Sequence, residues 1–182
     1  MDEKNLNRDI IENSYYLINL FLIAKTEKSN VSITNLKLQK LMYFVEAYYM
    51  VKNPSDDKLF TSTWSAWDYG PVSRELYNYY KKFGSIEISL TETQISIGEN
   101  LPSENKKYID KIYLLFGNLS AFDLVTLTHL KDSPWNIIYE SNKESKKYNF
   151  ENLNDSVISK KKTKEWFETR FNFLFNTVEG EK

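Results

Sequence analysis

The chain has no cysteine, one histidine, five glycines and four prolines in 182 residues. Without cysteine there is no disulfide framework, no thiolate nucleophile and no thiolate metal site, which agrees with a reducing cytoplasm. The single imidazole, His129, excludes metal sites that need two or three histidines, and no recognisable loop gathers carboxylates around a hard cation. Neither a metal nor a cofactor is expected. The glycines, Gly70, Gly84, Gly98, Gly117 and Gly180, are too scattered for a phosphate-binding loop or a dinucleotide fingerprint. Long apolar runs are missing too: Leu17 to Ala24 is interrupted by Asn19 and falls far short of the ~20 residues that span a bilayer. Asp2, Glu3 and Asp9 lead in where a signal peptide would be basic, so the mature protein is expected to be the whole chain, in the cytoplasm and away from membranes.

Neither sign of charge is in excess, with 24 Lys and Arg against 25 Asp and Glu, so no global field draws the chain onto nucleic acid. The one basic cluster, Lys160, Lys161, Lys162 and Lys164, contains none of the three arginines and reads as a solvated helix face. What the chain does have is apolar and aromatic: 41% hydrophobic and 15% aromatic residues suffice for a substantial core. One domain over residues 1–182 is expected.

Periodicity predicts a mainly helical fold. From Asp9 to Lys25, Ile10, Ser14, Leu17, Phe21 and Ala24 share a face, and Ile11, Tyr15, Ile18 and Leu22 share the next. Thr34 is placed to cap a second helix that ends at Asn53 and Pro54 and is apolar nearly all round, which marks it as the centre of the fold. Leu59 to Trp64 reads as a short strand. After it, Gly70 and Pro71 read as a corner that opens a helix over Val72 to Phe83, with Trp67 and Tyr69 packed beneath. Ile86, Ile88, Leu90, Ile95 and Ile97 alternate with polar residues around Thr91 to Gln94 and predict a small β-hairpin. Further helices are expected from Pro102 to Phe116, from Ala121 to Lys131 behind a Ser120 and Asp123 capping box, and from Pro134 toward Tyr139. Residues 140–162 read as a surface excursion, and Trp166, Phe167, Phe171 and Leu174 as the inner face of a docked terminal helix, over residues 163–176.

Three blocks carry a more specific signal. Leu38-Gln39-Lys40-Leu41-Met42-Tyr43, then Ala66-Trp67-Asp68-Tyr69-Gly70-Pro71-Val72, then Thr128-His129 with Pro134-Trp135 occur in this order. Together they resemble the Panacea antitoxin domain, the SocA-like group also called phage-associated proteins. Its pattern is Leu-Gln-Lys-Leu-x-Tyr, Ala-Trp-x-Tyr-Gly-Pro-Val, and Thr-His followed shortly by Pro-Trp, and every one of these residues is present over a resemblance spanning about residues 10 to 140. The resemblance implies a non-enzymatic protein that neutralises a partner by binding it, the partner being a cognate toxin. Gln39, Lys40, Tyr43, Trp67, Tyr69, Gly70, Pro71, Thr128, His129, Pro134 and Trp135 are its motif residues, with structural or partner-binding roles.

The residues themselves leave several roles open. Gln39, Tyr43 and Glu46, with Lys40 beside them, form one polar strip on an otherwise apolar helix, and buried polar groups need partners such as backbone, Thr128 or His129. A network that fixes helix register, a partner-facing or ligand-facing groove and catalysis are the readings, in that order. His129 reads first as a structural histidine and last as a general acid or base, with a tertiary pair to Asp68 as a variant. Two other functions stand beside the antitoxin reading: a phage or prophage protein that binds a host defence or protease component, and a small His-dependent hydrolase or transferase.

Overall fold

The computed structural model describes residues 3–55, 59–60, 62–144 and 156–176. It is mainly helical: α1 (Glu3–Lys28), α2 (Asn35–Lys52), a hairpin of β1 (Trp64–Trp67) and β2 (Gly70–Ser73), α3 (Arg74–Tyr80) continuing into a 3-10 turn (Lys81–Phe83), α4 (Glu92–Glu99), α5 (Ser103–Phe116), α6 (Ala121–Thr128), α7 (Pro134–Glu144) and α8 (Lys160–Asn176). No helix among the described residues is long and apolar enough to cross a membrane.

Helix α2 is the axis. Thr34 caps it by accepting from the Lys37 N–H, and at the other end the Asn53 N–H donates to the Tyr49 carbonyl. Between these caps Leu38, Leu41, Met42, Phe44, Val45 and Ala47 are wholly buried, as α5, α6, α8 and β2 pack around the helix. Phe44 meets Phe116 of α5 at 4.8 Å and Phe167 of α8 at 5.6 Å between ring centres. Burying each such ring is worth roughly 1.5–3 kcal/mol. The terminal helix is therefore part of the core, as its periodicity predicts, and Leu124 of α6 is buried with it.

Several local expectations need correction. Residues 86–97 form no hairpin. Ile88 donates its N–H to the Ile33 carbonyl, Glu87 bridges to Thr34, and Thr91 with Gln94 makes a reciprocal capping box that starts α4. That helix lies against α1, where a Cβ on Gly98 would meet the Phe21 backbone nitrogen at 2.9 Å. The hairpin lies instead at 64–73, with Trp64 opposite Ser73 and Trp67 opposite Gly70. Pro71 is consequently a strand residue and not the first turn of α3, whose cap is Ser73. Trp67 is only half-buried, though its ring meets Tyr77 of α3, and Tyr69 is 60% exposed instead of packed beneath the helix.

Helix limits shift as well. The first runs from Glu3 to Lys28, the sixth stops at Thr128, and α7 continues to Glu144. Within the expected excursion over 140–162, Val157 bridges to Ser65 of β1 and α8 already begins at Lys160. Residues 145–155, and the side chains of Ile10 and Ile11, lie outside what is described.

Candidate functional site

The polar strip of α2 holds the hairpin at one end and α8 at the other. Ser73 donates its N–H to Gln39 Oε1 at 2.8 Å, and Gln39 Nε2 returns a bond to the Ser73 carbonyl at 3.2 Å. The carboxamide thus occupies the place of a neighbouring strand on the outer edge of β2. The next residue, Lys40, donates its Nζ to the Pro71 carbonyl at 2.7 Å. Lys40 is completely buried, and desolvation lowers its pKa to about 7. Tyr43 Oη lies 3.2 Å from Thr163 Oγ1; because that hydroxyl donates to the Ser159 carbonyl, Tyr43 is the donor. Glu46 ends the strip, its buried carboxylate accepting from Ser62 Oγ at 2.9 Å, from Trp64 Nε1 and from Lys160 Nζ at 2.5 Å. Burial pushes the Glu46 carboxyl up, while Lys160 and these donors oppose the rise.

The third motif block reaches the hairpin from the other side. Ser133 Oγ donates to the Thr128 carbonyl at 2.8 Å and accepts from the Asn136 N–H at 3.0 Å, which sets the start of α7 at buried Pro134. Trp135 Nε1 then donates to the Trp67 carbonyl at 2.8 Å. On one side the Trp135 ring stacks on His129, 3.6 Å between centres and 4° between planes, and it also stacks on Tyr139 at 4.5 Å. Tyr139 Oη in turn donates to Asp68 Oδ1 at 3.1 Å. Burial first, and the Lys40 charge second, lower the His129 pKa to about 4, and its Nε2 is buried without a hydrogen-bond partner. Asp68 plays no part in that shift. Thr128 Oγ1 donates to the Val125 carbonyl and takes no bond from the strip.

All three blocks therefore converge on one two-residue turn, Asp68–Tyr69. Gly70 follows it at φ +97°, the left-handed residue that lets a right-twisted hairpin close after such a turn. A Cβ there would lie 2.6 Å from Thr128 Oγ1 and 3.0 Å from the Lys40 side chain. Strand, helix α2 and helix α6 meet at this glycine.

Beside the turn lies a cleft of about 330 Å³, lined chiefly by Leu36, Trp67, Tyr69, Val72, Tyr77 and Lys81. The Trp67 and Tyr77 rings meet edge to face at 5.3 Å and 60°. Sequence reasoning named Trp67 and Tyr69 but missed Leu36, Tyr77 and Lys81. A tyrosine and a lysine four apart on a short polar helix were the only available hint, and they look like any solvated face. The predicted lysine cluster borders a second hollow of about 420 Å³ with Met50 and Pro54. Three of its four members have intramolecular partners: Lys160 with Glu46, Lys161 with Glu165 at 3.9 Å, and Lys164 Nζ with the Pro54 carbonyl at 3.3 Å. No group of three or more His, Asp or Glu placed to hold a metal occurs among the described residues.

The family model described as Antitoxin SocA-like, Panacea domain, matches residues 38–136, from the strip of α2 through the hairpin and cleft to the stacked rings. A curated relative, antitoxin SocA of Caulobacter vibrioides (strain NA1000 / CB15N), is 27% identical over 125 residues, covering 64% of this chain. The alignment spans 65% of that relative's length. No solved structure matches the chain. Since the family model takes in more than half of the residues, the chain belongs to the SocA-like antitoxin family of Panacea domains.

Proposed function

We propose that the protein is a cytoplasmic antitoxin that neutralises a toxin encoded beside it by direct protein contact, without catalysis. The observation that carries this reading is the division of the motif. Its chemically able groups Lys40 and His129 are spent on internal contacts, as is Glu46 further along the same strip, whereas its aromatics Trp67 and Tyr69, with Tyr77, border a solvent-open cleft. Aromatic side chains around a concavity are the usual composition of a binding hot spot. A catalytic reading would need His129 to present a nitrogen to a substrate, yet its ring lies flat against Trp135 and Nε2 is enclosed.

The test is co-expression with the neighbouring gene. Growth should be restored and the two proteins should co-purify. His129→Gln should still protect cells in proportion to its folded amount. A variant that binds the toxin normally yet no longer protects would put chemistry at His129 instead.

A further inference from the structure

Resting on that partner-binding reading, we propose that the cleft between the Asp68–Tyr69 turn and α3 is the docking site, and that its occupant is a partner segment presenting a large apolar side chain beside carboxylates. Strand addition is closed off at this hairpin. The outer edge of β2 is taken by Gln39 and Lys40, and that of β1 by the Ile158 N–H, which donates to the Trp64 carbonyl at 2.8 Å. Recognition must then run through side chains.

The cleft itself favours an apolar anchor. The amides in its lining are already engaged: Gln39 uses both ends of its side chain on Ser73, and Asn35 Nδ2 donates to the Tyr77 carbonyl at 3.4 Å. A polar group inserted beside these amides would lose its water and gain no bond from them. Trp67, Tyr69, Val72 and Leu36 offer apolar surface instead. The rim supplies the sign of charge. Arg74, Tyr77 and Lys81 stand at i, i+3 and i+7 on one face, and Lys82 follows. Arg74 and Lys81 are exposed and form no ion pair among the described residues. Asp68, the one acidic lining residue, and exposed Glu75 offset part of this charge. Arg74, Lys81 and Lys82 outnumber them, so the rim is cationic by a small excess, and carboxylates flanking the anchor complement it.

The experiment measures calorimetric affinity of the full chain for the toxin from the neighbouring gene, at low and high salt. The variants are Tyr69→Ala and Lys81→Glu, both at exposed positions, with exposed Phe122→Ala outside the cleft as control. With melting temperature unchanged, Tyr69→Ala should weaken binding about tenfold or more. Lys81→Glu should weaken it more at low salt than at high salt, and Phe122→Ala should leave it as it was. If the wild type binds and the two cleft variants bind equally well, the docking site is elsewhere and only this inference falls. Tighter binding by Lys81→Glu would make the occupant basic and overturn it. So would a wild-type self-association, seen by sedimentation, that Tyr69→Ala abolishes, because the occupant would then be a second copy. Absence of wild-type binding removes the antitoxin reading and the inference together.

Discussion

Gly70 leaves no room for a side chain, because its left-handed φ and the crowding of Thr128 and Lys40 both act against a Cβ. Gly70→Ala should therefore cost more than about 1 kcal/mol, read as a lower denaturant midpoint with unchanged slope. Lys40 has a different signature. Burial holds it near 7 where the unfolded chain titrates near 10.5, so between those values the unfolded state binds the extra proton. Stability should climb as pH rises from about 7 towards 10.5 and be lost on the way back, by up to about 1.4 kcal/mol per pH unit. Unfolding measured across that window should show the slope in the wild type. Lys40→Met should flatten it, and an unchanged slope would assign the proton to another group.

At the scale of elements, the buried Glu46 carboxylate joins α2, the segment leading into β1, and α8. Glu46→Gln removes the charge that faces Lys160, and breaking one side of a buried pair costs about 3–5 kcal/mol at most, less where an amide still accepts a bond and the partner reaches water. Hydrogen exchange should then quicken first along Lys160–Asn176, and uniform quickening over all helices would mean that α8 is not held by this contact. How much of this was legible depended on whether the cause was local. Caps at Thr34 and Ser120 act within four residues, and both helix starts follow from them. The hairpin expected at 86–97 failed because Ile86, Ile88 and Leu90 alternate by accident of a bridging segment, while Thr91 and Gln94 carried the true, helical signal. Gly70-Pro71 was misread for a tertiary reason. Residues 71 and 73 turn their backbone groups outward to α2, so Pro71 takes no bond from the ladder and is tolerated in a strand. The polar strip stood out in the sequence, but its partners on β2, 31 to 34 residues away, and the cleft beside them, did not.

For the whole molecule, the stretch that marks the family is smaller than the hydrophobic core. Residues 38–136 omit α1, which buries Tyr15, Ile18 and Leu22, and α8, which buries Phe167 and Phe171 against Phe44. A 38–136 fragment should accordingly show no cooperative thermal transition and bind hydrophobic dyes, and a sharp two-state melt would overturn that expectation. The Gln39 contact has a consequence of another kind. A strand paired through its backbone is blind to side-chain identity, since every residue offers the same amide, but at Ser73 β2 is read by one carboxamide. Exchange of one nitrogen for oxygen, as in Gln39→Glu, keeps shape and volume yet sets an acceptor against the Ser73 carbonyl and buries a charge. One of the ties between the hairpin and the rest of the protein is thus written in a chemically alterable group, and deamidation there would be a mutation without any change in the gene.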